Sequence, residues 1–204
     1  MTRGKLITLE GPEGAGKSTH ARRLAAWLRR QGCRVLLTRE PGGTALGQRL
    51  RALLLHSKKA GLDPFVELLL YEASRAVLVN RVIRPALRSG KVVVLDRFYD
   101  STWVYQGWAG RMPLALVERL NRAATGGLTP DCTLLLDLPV RRGLARVRRP
   151  NRFEAKPLAF HQKVRQGYRA LARRQRRRIH RVRADRPAGK VQEEIRGIVC
   201  DAVC

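Results

Sequence analysis

Eight residues near the start of the chain, Gly11-Pro12-Glu13-Gly14-Ala15-Gly16-Lys17-Ser18, follow the pattern G-x-x-x-x-G-K-S/T. Nothing else in the sequence constrains the fold as tightly. Glycines let successive backbone N–H groups turn inward around an anion. Such a loop needs a strand before it and a helix after it, whose positive dipole end faces the same anion. Both flanks comply: Leu6 to Glu10 is a short apolar run, and Ser18 to Arg30 is amphipathic. The pattern predicts binding of a nucleoside triphosphate along Gly11 to Thr19. Lys17 would reach the β- and γ-phosphates and the Ser18 hydroxyl would ligate Mg²⁺.

From there the chain alternates short β-rich runs with longer amphipathic segments, the signature of a parallel sheet with helical crossovers. Strands are predicted at Leu6 to Glu10, Val35 to Thr38, Val92 to Asp96, Thr133 to Asp137 and Ile179 to Ala184. Helices are predicted at Ser18 to Arg30, Leu46 to Leu55, Phe65 to Leu87, Leu114 to Ala124, Leu158 to Ala172 and Val191 to Val203. The expected fold is α/β in three layers, a central five-stranded parallel sheet flanked by helices. With 204 residues, 44% of them hydrophobic, one domain spanning 1–204 is expected. No apolar run approaches the roughly 20 residues of a membrane span, and no basic-then-apolar leader precedes Leu6, so a cytoplasmic location is expected. Cys33, Cys132, Cys200 and Cys204 show no C-x-x-C pair, hence neither a disulfide framework nor a zinc site. Cys200 and Cys204 read as one face of a terminal helix.

The charge balance bears on partners. Lys and Arg number 42 against 16 Asp and Glu, a net +26, and Pro139 to Lys190 holds 19 bases against two acids, Glu154 and Asp185. Polyphosphate attraction is one reading, with nucleotides as substrates or nucleic acid as a partner. For residues beyond Tyr168, a solvated Arg-rich surface is the preferred one, so nucleic-acid contact through this basic third is left open but not favoured. Between Gly143 and Arg152 a functional role is expected.

A triphosphate site leaves the acceptor to be read from the other strand ends, where ligands gather in open α/β sheets. Thr38-Arg39-Glu40-Pro41-Gly42-Gly43-Thr44 follows the second strand. Asp96-Arg97-Phe98-Tyr99-Asp100-Ser101-Thr102 and Trp103-Val104-Tyr105-Gln106-Gly107 follow the third. Arg97 suits an acceptor phosphate, and Asp96 suits the Mg²⁺ environment, through water or directly. Tyr71 and Arg75 stand i, i+4 on one helix face, where a ring can stack on a base while a guanidinium donates to its carbonyl. Plainer roles exist for several of these. Tyr71 follows Leu68-Leu69-Leu70 as a core residue would, Arg75 can pair with Glu72 or Glu67, Asp96 can pair with Arg97, Glu40 can brace its turn, and His161 reads as structural.

Taken together, these segments resemble bacterial thymidylate kinase, a family of P-loop nucleoside monophosphate kinases, from about Leu6 to Tyr168. Gly127-Leu128-Thr129-Pro130-Asp131 and Phe160-His161 add to the likeness. The resemblance implies phosphoryl transfer from ATP to dTMP with Mg²⁺, and a homodimer. It implies that Tyr71 stacks on thymine, that Arg75 bonds the base, and that Ser101, Thr102 and Gln106 contact the acceptor. Tyr105 would crowd a ribose 2′-hydroxyl, Arg97 would hold the acceptor phosphate with Arg39 and Arg51 nearby, and Glu13 would sit near the acceptor sugar and metal. Because the P-loop carries Glu13 rather than a base, the catalytic arginine is expected from a short mobile lid at about 143–154. Arg149 is first choice, with Arg152 or Arg148 as alternatives and Arg146 in the same segment. Arg152 would otherwise pair with Glu154.

Overall fold

A computed structural model describes residues 4–56, 62–148 and 150–203. Along the chain run β1 (Leu6–Glu10), α1 (Lys17–Arg30), β2 (Val35–Arg39), α2 (Ala45–His56) and α3 (Pro64–Leu78). A π-helical stretch, Val79–Ile83, leads into α4 (Arg84–Arg88) and β3 (Val92–Asp96). Next come α5 (Tyr99–Thr102), a second π-helical stretch (Trp103–Ala109), α6 (Leu114–Thr125), β4 (Cys132–Asp137) and α7 (Val140–Leu144). The chain closes with α8 (Leu158–Arg174), β5 (Ile179–Arg183) and α9 (Ala188–Val203).

All five strands are parallel, in the order β2-β3-β1-β4-β5. Every residue of β1 and β4 is buried, as expected of strands covered on both faces. One face packs α1 and α9 against the sheet through Leu24, Leu28, Leu134, Leu136, Val182 and Ile195. The other face packs Leu6, Ile83, Leu95 and Phe98 near β3, and Val104, Leu135, Val164 and Tyr168 near β4. The predicted strands fall where they were read, to within a residue at each end. Among the described residues no helix is long and apolar enough to cross a membrane.

One reading needs correction. Phe65 to Leu87 is not one helix: Pro85 lacks an N–H and its ring crowds the carbonyl of Arg81, so the backbone widens over Val79–Ile83 before the last short turn. The first residues of the segment read as a lid, 143–154, belong to α7. Gly143 packs directly on the phosphate-binding loop: a Cβ there would lie 2.2 Å from the Glu13 carbonyl oxygen, and one on Gly14 would lie 2.0 Å from the Gly143 oxygen. Only two glycines facing each other allow this backbone contact.

Candidate active site

The loop between β1 and α1 is built by backbone freedom. Gly11, Gly14 and Gly16 take φ values of 142°, 68° and 86°, a region closed to most side chains. Gly16 also caps α1 without a side-chain bond, and the helix has no acid in its first turn, so its leading N–H groups are left to an incoming anion. Ala15 is tucked into the core, while Lys17 folds back to donate to the carbonyls of Gly11 (3.1 Å) and Pro12 (2.8 Å). Burial, and then Arg97, lower its pKa to about 8. Ser18 donates to Asp96 at the end of β3, which brings together the two predicted metal-side oxygens. Thr19 borders the same cleft.

Arg97 is the hub of the site. Its φ of 68° is unusual for a side-chain-bearing residue and costs about 1–3 kcal/mol, offset by a dense set of bonds. It donates to the Gly11 carbonyl (3.2 Å), Ser101 (3.0 Å), Tyr168 (3.0 Å), Glu13 (3.0 Å) and Tyr105 (3.3 Å). Its partner is therefore Glu13 and not Asp96. Tyr105 also donates to Glu13 at 2.7 Å. Burial alone would raise Glu13, but Arg97 and Lys17 outweigh it and hold the carboxyl at about 2.

Two residues that sequence reasoning missed hold this hub. Buried Glu10, the last residue of β1, accepts from the Phe98 N–H (2.7 Å), Ser101 (2.7 Å) and Tyr168 (2.9 Å). Burial, with neighbouring Asp100, raises its pKa to about 7. Tyr168 comes from α8, 158 residues away. The available signal was the carboxylate closing the apolar run Leu6-Ile7-Thr8-Leu9, since a buried charge must find partners.

Between the P-loop and α3 opens a cleft of about 310 Å³, bordered by every predicted acceptor residue. Arg39 has no side-chain partner among the described residues, and Arg51 donates only to the Pro41 carbonyl at 3.0 Å. Burial and the nearby charges of Arg39 and Arg97 push the Arg51 pKa down, so three guanidiniums repel one another around a space suited to an anion. Tyr71 presents its ring edge-on to Phe153 at 6.2 Å.

Arg75 is bound more fully than predicted. It donates to Glu40 (2.8 Å), Glu72 (2.7 Å), Asn121 (2.9 Å) and Thr102 (2.9 Å), which leaves one of its five N–H groups uncommitted. Glu40 thus pairs with Arg75 rather than bracing its own turn. Gln106 donates to Glu67 at 2.7 Å. Arg152 also bonds Glu67, and the Leu54 carbonyl at 3.2 Å. This corrects its expected pairing with Glu154, whose carboxylate instead accepts from the Asn151 N–H. Arg152 therefore lies with Glu67 and Gln106, whereas Arg146 reaches the P-loop, donating to the Gly14 carbonyl at 3.2 Å. Arg149, the first choice in the lid, lies outside the described residues, and Arg148 has no side-chain partner among them. His161 is buried with neither ring nitrogen bonded.

Fold and cleft together define an α/β protein of the P-loop kinase class. A family model described as thymidylate kinase matches residues 9–195. A thymidylate kinase of Desulfosudis oleivorans is 50% identical over 195 residues, covering 91% of each chain. One of Deinococcus radiodurans is 47% identical and covers 96% of each. The crystal structure of thymidylate kinase from Ehrlichia chaffeensis superimposes with a TM-score of 0.80 at 31% identity, covering 97% of this chain and 99% of that one. The chain belongs to the thymidylate kinase family.

Proposed function

We propose that the chain transfers the γ-phosphoryl group of ATP to dTMP, giving dTDP and ADP for dTTP synthesis, as a single cytoplasmic domain. The observation that carries this reading is the juxtaposition of a complete P-loop with a second anion site formed by Arg39, Arg51 and Arg97, beside Tyr71. Phosphoryl transfer needs mainly alignment and charge neutralisation, and the site offers both. Backbone N–H groups of Glu13 to Thr19 and the Lys17 ammonium hold the donor phosphates. Arg97, with Arg39 and Arg51, holds the acceptor phosphate in line.

Tyr71 stacks on the base while the free N–H of Arg75 meets a base carbonyl. Ser101, Thr102 and Gln106 line the acceptor, and Tyr105, fixed by Glu13, crowds the position of a 2′-hydroxyl. The oxygens of Ser18 and Asp96 suit Mg²⁺, which takes one or two protein ligands and completes its shell with water and phosphate. When bound, the ion neutralises phosphate charge. The lid adds a cation to the transferring group, from Arg149 or Arg146 in preference to Arg152, which is held by Glu67.

The enzyme works as a homodimer, a reading supported by exposed Phe65, Val66 and Leu69 on α3 next to Leu46 and Leu53 on α2. Sedimentation of a Phe65→Glu variant as a monomer is the expected result there. The test of the reaction itself is coupled ADP release with dTMP, dUMP, UMP, CMP and thymidine as acceptors. dTMP should give the highest kcat/KM, and equal turnover with UMP or CMP would refute the assignment.

A further inference from the structure

Parallel strands place all strand entries on one edge of the sheet, opposite the P-loop. Four helix ends and their returns into β2, β3, β4 and β5 meet there, at residues 29–34, 88–91, 122–131 and 173–178. These turns are tied side by side. Val92 donates to the Arg34 carbonyl at 2.9 Å, Arg34 donates to Ser89, Arg84 donates to the carbonyls of Thr125 and Gly126, and Thr133 donates to the Arg178 carbonyl at 2.7 Å. They form one continuous face.

That face is cationic out of proportion to its surroundings. The four segments hold ten arginines and one lysine against a single acid, Asp131, which pairs with Lys5 at 3.8 Å. Two of the arginines are neutralised, Arg174 by Glu118 and Arg178 by Asp100. Arg30, Arg88, Arg122, Arg173, Arg176 and Arg177 are all exposed and have no side-chain partner among the described residues. Cations are normal at helix C-termini, but four such ends present only about −2 elementary charges in all. The basic residues exceed that several-fold, and none of the six donates to a helix-end carbonyl.

We propose that this face docks the phosphate backbone of nucleic acid, independently of the kinase cleft. Its chemistry selects that partner. Arginine forks match phosphate oxygens bidentately, and they outnumber lysine ten to one here. A protein interface needs an apolar centre, and shallow membrane insertion needs apolar side chains. The exposed large hydrophobics, Leu46, Leu53, Phe65, Val66, Leu69 and Trp108, all lie outside these turns. Strands of five or six residues set the face roughly 16–20 Å from the P-loop edge, so a bound duplex leaves the cleft open.

The test is fluorescence anisotropy of the full chain with a labelled DNA duplex across a salt series. Log affinity should fall steeply with log salt, by about 0.9 per phosphate neutralised. A triple variant, Arg173→Gln, Arg176→Gln and Arg177→Gln, should flatten that slope by about 2 to 3 while kcat and both KM values stay within about twofold of the parent. The matching lysine triple should keep the slope, which separates loss of charge from loss of structure. A control removing three exposed charges near the other edge, Arg22→Gln, Arg23→Gln and Arg49→Gln, should change it by less than 1. Absence of duplex binding at low salt would overturn the proposal. So would an equal effect of the control triple, or tighter binding to vesicles of anionic lipid than to the duplex.

Discussion

The contact of Gly143 with the Glu13 backbone fixes the spacing between α7 and the P-loop. In Gly143→Ala the new methyl group would lie 2.2 Å from the Glu13 carbonyl oxygen, whereas carbon and oxygen approach comfortably at about 3.3–3.6 Å. The P-loop and α7 must therefore part by about 1 Å. Overpacking of this kind costs on the order of 1–3 kcal/mol, which for a chain of this size lowers Tm by roughly 2–12 °C. The larger effect falls on activity, because Glu13 is the residue that fixes Arg97 and Tyr105. A misplacement of about 1 Å costs on the order of 100-fold in rate. Steady-state kinetics with thermal denaturation should therefore show kcat down about 100-fold in a protein that still melts cooperatively. A variant with kcat within threefold of the parent would refute the claim that this backbone contact sets the geometry of the P-loop.

Lys17→Ala should abolish turnover with little change in Tm, since its ammonium bonds only loop carbonyls; near-normal kcat in the folded variant would reject the kinase assignment. Tyr71→Ala should raise the KM for dTMP about 5- to 150-fold, from loss of roughly 1–3 kcal/mol of stacking, and an unchanged dTMP KM with weakened ATP would misplace the acceptor site. Glu10 carries a folded-state pKa of about 7 against 4.5, so its ionisation removes stability as pH rises from about 4.5 to 7. The Tm gain of Glu10→Gln over the parent should accordingly grow from pH 5 to pH 8, and an ionisation near pH 7 in the dTMP kcat/KM profile should vanish; identical profiles would exclude Glu10 as the titrating group. Single Gln substitutions in the lid should lower kcat most at Arg149 or Arg146, whereas Arg152→Gln should chiefly raise the dTMP KM by freeing Glu67 from Arg152; kcat within a few-fold at all four positions, counting Arg148, would reduce the lid to a cover.

The sheet was legible because each buried strand is a compact apolar run bounded by glycine or charge, as at Val92 to Asp96. The P-loop was legible because its glycines have no substitute. What escaped depends on distance. Glu10 looks like a strand terminus and Tyr168 like one more apolar position of α8; only folding brings both hydroxyl and carboxylate to Ser101. Arg75 was read as a base ligand from its spacing to Tyr71, yet the acids and amide that wrap it come from the turn after β2, from α3 and from α6. The π-helical stretch Trp103–Ala109 has no 3.6-residue period for a reader to detect. The cationic face was visible as composition but not as a surface, because its arginines come from four separate turns.

Strand order has a consequence for how the chain is made. β1 precedes every other strand in the chain, yet its two neighbours are β3 and β4, so its second side stays open until Asp137 has been synthesised. At about 5–20 residues per second, that interval lasts roughly 6–25 seconds. Throughout it, a wholly apolar-cored strand and the P-loop attached to it lack the walls that shape them, although α1 can already form beside them. A nascent chain halted near residue 110 can pair β1 on one side alone, and the nucleotide loop gains its Gly143 buttress only after a further thirty-odd residues. The first strand of the sheet to be made is thus among the last to be completed.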